Sequence, residues 1–196
     1  MKKSLYFLLV IFTLAACHNK NQEANKSLSE AGKEQSALIQ SYQKTDSLRL
    51  VGAVDVAASE EFIQQAWSFY EKYPEEKITP EMLTNSAMAS MTLAKYYKEV
   101  FPDDVPTKIK YAEKALLIFN TLIKVYPDYE GIKVAYLNKA FVYDDILEDY
   151  PSAEMEYREF IHKYPHDSVT EGLSNYLQFI GATPDEIYEE IKKKNS

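Results

Sequence analysis

A single cysteine, three histidines, one tryptophan and five glycines are spread over 196 residues, and each scarcity removes a class of chemistry. Cys17 has no second cysteine to pair with, so an intrachain disulfide framework is excluded. Of the histidines, His162 and His166 stand four apart, the spacing of a two-histidine metal site on a helix, but Pro165 lies between them and ends such a helix first. No cysteine or third histidine is near them in sequence, so no metal and no other cofactor is expected. With so few glycines the chain carries no glycine-rich phosphate loop and no serine nucleophile elbow. Basic residues are also in deficit: 22 Lys and Arg against 30 Asp and Glu give a net charge of −8. Nucleic-acid affinity rests largely on Lys and Arg, so that balance argues against a nucleic-acid partner. What is plentiful is aromatic and apolar: sixteen tyrosines, nine phenylalanines and 46% hydrophobic residues, enough for one continuous core and a helical composition.

Long apolar runs are missing too, apart from Leu5 to Leu14, which follows Lys2 and Lys3 and ends in the small residues Ala15 and Ala16 before Cys17. This is the build of a secretory signal peptide, and it is too short to cross a hydrocarbon core of about 30 Å. Leu14-Ala15-Ala16-Cys17 also resembles the lipobox of bacterial lipoproteins. That resemblance implies cleavage after residue 16 and a diacylglycerol thioether on Cys17. Loss of Lys2 and Lys3 takes the charge from −8 to −8 − 2 = −10. Several acyl chains, at roughly 0.8 kcal/mol per buried methylene, make a stable anchor where one is marginal. His18 stands where aspartate favours inner-membrane retention in such proteins, which implies an outer-membrane anchor facing the periplasm. Residues 17–49 are polar and read as a tether, partly helical at best, with a reach on the order of 30 Å.

The folded part is expected over 50–196, and its organisation shows as a repeat. Ala115, Phe119, Leu122, Ile123, Tyr126 and Pro127 recur 38 positions later as Ala153, Tyr157, Phe160, Ile161, Tyr164 and Pro165. The first five of each set form one stripe of an amphipathic helix, and the proline ends it. A stripe returning at a fixed period indicates stacked helical hairpins. Tyr73-Pro74, with Phe62, Ala66 and Phe69, marks an earlier and looser copy in a helix starting near Ser59. A further helix is expected from Pro80 to Val100 with Thr79 as its cap, and a last one from Thr183, spaced with Glu186 as a capping box.

These spacings resemble the tetratricopeptide repeat (TPR), and the resemblance covers roughly residues 59 to 194. Similar long repeats ending in Tyr-Pro occur in envelope lipoproteins of the barrel-assembly and Tol-Pal-associated type, and small lipoproteins with about three repeats are nearer still. The implied fold is all-α: about seven helices in antiparallel pairs, forming a short right-handed solenoid with a capping C-terminal helix. The implied function is a membrane-anchored module for protein–protein interaction. Its partner is another envelope protein, and it is not an enzyme.

In that fold the first helix of each pair lines the concave face. With Ala140 as the packing residue of its helix, Asn138, Asp144 and Asp145 are expected to project toward the groove and favour a partner rich in Lys or Arg. Acidic pairs such as Glu60-Glu61 and Asp103-Asp104 supply the residue types of a glycosidase, yet adjacent carboxylates are more often solvated charge. Trp67 and the tyrosines raise the alternative of a glycan-binding or small-ligand accessory of an uptake system.

Overall fold

Proline has no N–H to donate and clashes with the preceding helical turn, so each Tyr-Pro step stops a helix. The computed structural model describes residues 30–48 and 52–194, and among these every regular element is helical. Residues 1–16, expected to be a signal peptide, and Cys17 lie outside the described residues. The elements are α1 (30–48), α2 (Val56–Lys72), α3 (Thr79–Val100), α4 (Val105–Val125), α5 (Ile132–Phe141), α6 (Tyr150–Lys163), α7 (Thr170–Tyr176) and α8 (Pro184–Lys194). A π-helical turn, Val142–Leu147, extends α5.

The three Tyr-Pro turns are built alike. Tyr73, Tyr126 and Tyr164 cap α2, α4 and α6, each donating its N–H at 2.8 Å to the carbonyl four residues back, on Phe69, Leu122 and Phe160. Their carbonyls then accept from the N–H three residues on, Glu76, Tyr129 and Asp167. In the first and last turns a threonine hydroxyl closes the loop: Thr79 and Thr170 each donate at 2.8 Å to the tyrosine carbonyl. Thr79 is therefore not the cap of α3, as expected from sequence; Ile78 precedes the helix without a side-chain cap, and the hydroxyl is spent on the turn behind it.

Counting back from each capping tyrosine, the residues 11, 7 and 4 positions earlier are Phe62, Ala66 and Phe69 on α2, Ala115, Phe119 and Leu122 on α4, and Ala153, Tyr157 and Phe160 on α6. All nine are buried. Consecutive helices pack on one another from α2 through α7, and α3 also packs on α5 and the π-turn. The main core lies between α3, α4 and α5, where Ala87, Ala94, Ala112 and Ala115 are fully buried and let the backbones approach.

Two differences from the sequence expectation stand out. The helix over α2 begins at Val56, not near Ser59, because the Asp55 carboxylate caps it by accepting from the Ala58 N–H at 3.0 Å. More importantly, the second half of the expected tether is a helix seated on α2. Leu38 of α1 is buried with Phe62, Ala66, Phe69 and Met82, Tyr42 stacks on Phe62, and Lys72 pairs with Glu34 at 3.0 Å. One leucine and one tyrosine on a polar helix are enough to dock it, so a composition-based reading passes over it.

Candidate functional site

The site foreseen at the end of α5 is shaped by the π-turn. Val142 and Ile146 are fully buried in the main core, whereas Ala140 is buried in a separate cluster with Ala153 and Tyr157. The wider turn lets one strand of helix serve both clusters. It ends at Glu148, which has φ 57° and ψ 29°, a left-handed conformation that costs a non-glycine residue roughly 1–2 kcal/mol.

This geometry sends the expected residues in different directions. Asn138 turns its carboxamide back to the Val134 carbonyl at 2.9 Å and stays on its own helix. Asp144 faces α6 and α7, accepting from the Tyr176 hydroxyl at 2.6 Å and the Tyr157 hydroxyl at 3.1 Å. Burial first, and then the Asp144 carboxylate, hold both phenols well above the ordinary tyrosine pKa. Asp145 faces α3, 3.3 Å from the Lys95 ammonium, and its carbonyl accepts from Lys98. Lys98 in turn pairs with Glu148 at 3.0 Å.

Asp144 and Asp145 nonetheless border one hollow, shared with Lys98, Glu148, Tyr176 and Phe179. Its far wall depends on Gly181, whose φ is +75°; a Cβ there would sit 2.9 Å from the Tyr150 ring. Past that glycine, Thr183 and Glu186 form the reciprocal capping box anticipated from their spacing, with Thr183 N–H to Glu186 at 2.7 Å and Glu186 N–H to Thr183 at 3.4 Å. The two phenols that hold Asp144 escaped the sequence reading, and of these only Tyr176 lines the hollow. Tyr157 reads as pure core because it belongs to the repeated stripe, and Tyr176 lies on a short helix with no buried residue to signal it.

The other candidates have structural employment. The Trp67 indole donates to Glu71 at 2.8 Å, the Lys114 ammonium lies 4.5 Å above its ring centre, and Tyr70 is 5.4 Å away. A sugar stacking there has to displace Lys114, a lysine whose pKa burial pushes down against the opposing pull of Glu71. Glu60 is held below the usual carboxylate range by hydrogen bonds from Tyr111 at 2.6 Å and Lys110 at 3.0 Å. Asp104 caps α4 by accepting from the Thr107 N–H. His162 and His166 are both exposed, with the end of α6 at Lys163 between them. Among the described residues no group of three or more His, Cys, Asp or Glu is placed to hold a metal ion, and no helix is long and apolar enough to cross a membrane.

Compared with known proteins, the chain matches no family model and shows no significant similarity to a curated protein.

Proposed function

We propose that this protein is a lipid-anchored interaction module of the bacterial envelope. In this reading Cys17 carries the anchor in the outer membrane, residues 18–29 form the remaining tether, and α1 to α8 make a short TPR-like solenoid. Its work is to hold another envelope protein close to the membrane. The observation that carries this reading is the thrice-built Tyr-Pro turn with its buried stripe on α2, α4 and α6. Repeated hairpins that stack only on their neighbours generate an extended surface whose natural use is recognition. The step from fold to function is an analogy, strengthened by the way Glu60, Asp104 and the Trp67 indole are committed to structural contacts.

The partner surface is the hollow beside the π-turn. Asp144 is occupied by two phenols, so Asp145 and Glu148, with side chains 37% and 57% exposed, are the charges offered to a partner. Lys or Arg on that partner competes with Lys95 and Lys98 for them, and the charges act mainly on association rate and on rejecting acidic partners.

The test is affinity capture from detergent-solubilised envelopes with the parent chain and with Asp145→Asn combined with Glu148→Gln. The reading expects one or two stoichiometric proteins on the parent, retained less by the double variant and with a weaker dependence on salt. Thermal shifts with oligosaccharides and no stoichiometric protein would replace it by the glycan-binding alternative.

A further inference from the structure

The helix ends gather at two edges. At one lie the three Tyr-Pro turns: the Tyr126 hydroxyl at the end of α4 donates to the Pro74 carbonyl at 2.7 Å, and Lys133, just past the second turn, pairs with Asp167, just past the third. At the other edge Glu60, near the start of α2, meets Lys110 and Tyr111 near the start of α4, and Lys98, near the end of α3, meets Glu148 at the end of the π-turn. The length of α3 separates the two edges, 22 residues or about 33 Å.

The docking of α1 fixes the edge at which the preceding chain leaves the domain. Glu34, early in α1, pairs with Lys72 at the end of α2, whereas Tyr42, later in α1, stacks on Phe62 near the start of α2. The two helices are therefore antiparallel, and α1 begins beside the Tyr73-Pro74 turn. Glu30, its first residue, lies within electrostatic reach of Lys72 and Tyr73. Twelve residues, 18–29, separate that point from Cys17. A stretch of twelve residues reaches about 20 Å as a coil and about 18 Å as a helix. Both values fall short of the roughly 33 Å to the far edge, which only full extension to about 40 Å would cover.

We propose that the Tyr-Pro edge lies against the phospholipid headgroups, and that the α3–α4 turn and the hollow beside the π-turn face away from the membrane. This orientation rests on Cys17 being the lipid anchor and gives that reading a direction. The edge suits zwitterionic headgroups, because exposed Lys77, Lys124 and Lys163 stand among exposed Glu75, Asp128 and Glu130, and Val125 beside Lys124 is 44% exposed. Neither sign dominates, so phosphate and ammonium groups both find a counterpart. A partner bound at Asp145 and Glu148 is then held about 30 Å from the headgroups, and the segment it offers lies off the bilayer surface.

The experiment uses the full chain, extracted from bacterial membranes and returned to phosphatidylcholine vesicles that contain a lipid with a nitroxide on its headgroup. Cys17 is the only cysteine, so once it is acylated a single introduced cysteine is the one free thiol and takes a fluorophore. Lys124→Cys and Val105→Cys label opposite ends of α4, and Lys77→Cys with Asp103→Cys gives an independent pair on other turns; all four positions are exposed. Vesicle flotation is scored first, then nitroxide quenching. Quenching is expected to be several-fold stronger at 124 than at 105 and at 77 than at 103. Floating chains with equal quenching within the pairs, or stronger quenching at 105 and 103, would overturn the orientation and leave the anchor standing. A chain that does not float would overturn the anchor reading, and the orientation with it.

Discussion

Replacing Lys139 by methionine removes the charge partner of a carboxylate that has almost no contact with water. Glu156 on α6 is 4% exposed, its Oε1 lies 2.7 Å from the Lys139 ammonium of α5, and its Oε2 has no hydrogen-bond partner. Methionine keeps most of the aliphatic length of lysine, so little packing is lost and the change isolates the charge. Breaking a buried pair on one side typically costs about 3–5 kcal/mol, because the remaining ion is stranded. Against a total stability of about 5–15 kcal/mol this is a large fraction. With a urea m-value of about 2 kcal/mol/M, the unfolding midpoint falls by roughly 1.5–2.5 M. Replacing both residues, Lys139→Met with Glu156→Leu, removes the ion as well as its partner and recovers most of the loss, since apolar substitutes for a buried pair are often neutral or better. Urea unfolding followed by far-ultraviolet circular dichroism reads the parent and both variants. A single-variant loss below about 1 kcal/mol would place the pair in effective contact with water and refute the reasoning; so would a double variant as unstable as the single one.

Three further outcomes follow from the same structure. Leu38→Ala should undock α1 rather than unfold the chain, with a loss of about 2–5 kcal/mol capped by the docking energy of that helix; hydrogen exchange should speed up over 30–48 and leave α3 and α4 protected. Tyr126 is pushed up to about 12, chiefly by burial, and donates to the Pro74 carbonyl at 2.7 Å. A phenol whose folded pKa is raised contributes stability that is complete below its unfolded value near 10 and is lost as pH climbs toward the folded one. Unfolding scans at pH 9, 10.5 and 12 should show that decline begin earlier in the parent than in Tyr126→Phe; parallel curves would contradict it. Cys17→Ser should leave the precursor unlipidated and uncleaved by the lipoprotein peptidase while the helical domain still folds, and normal processing of this variant would end the lipoprotein reading.

The readable part of the fold is the part where side-chain order follows the repeat. On α4 and α6 a small alanine precedes an aromatic, Ala115 before Phe119 and Ala153 before Tyr157, and both helices announce themselves by that pattern. On α2 the order is reversed, Phe62 before Ala66, with all four of these helix-filling positions on α2 and α4 buried. Exchanging large and small between neighbouring positions conserves volume, so the packing survives while the pattern fades. The tether expectation for residues 30–48 failed for a different reason: α1 buries little besides Ala31 and Leu38 and gains from the Lys72–Glu34 pair, which no periodicity in α1 reveals.

The candidate site was legible as a place and not as a geometry. Counting from Ala140 at the α-helical pitch puts Asn138, Asp144 and Asp145 on one face, but that pitch ends at Phe141. The π-turn has no local signature; it arises because Val142 and Ile146 belong to one core and Ala140 to another. Asp144 and Asp145 consequently meet opposite neighbours, tyrosines on one side and Lys95 on the other.

The central claim, that the face beside the π-turn holds an envelope protein, is tested most directly by photocrosslinking in intact cells. A photoreactive residue replaces Asp145 in one strain and Leu117, exposed on α4 away from that hollow, in another. The account predicts one or two discrete crosslinked protein bands from position 145 and none of the same size from position 117. Identical band patterns from both positions, or no band from position 145 at normal expression, would contradict it.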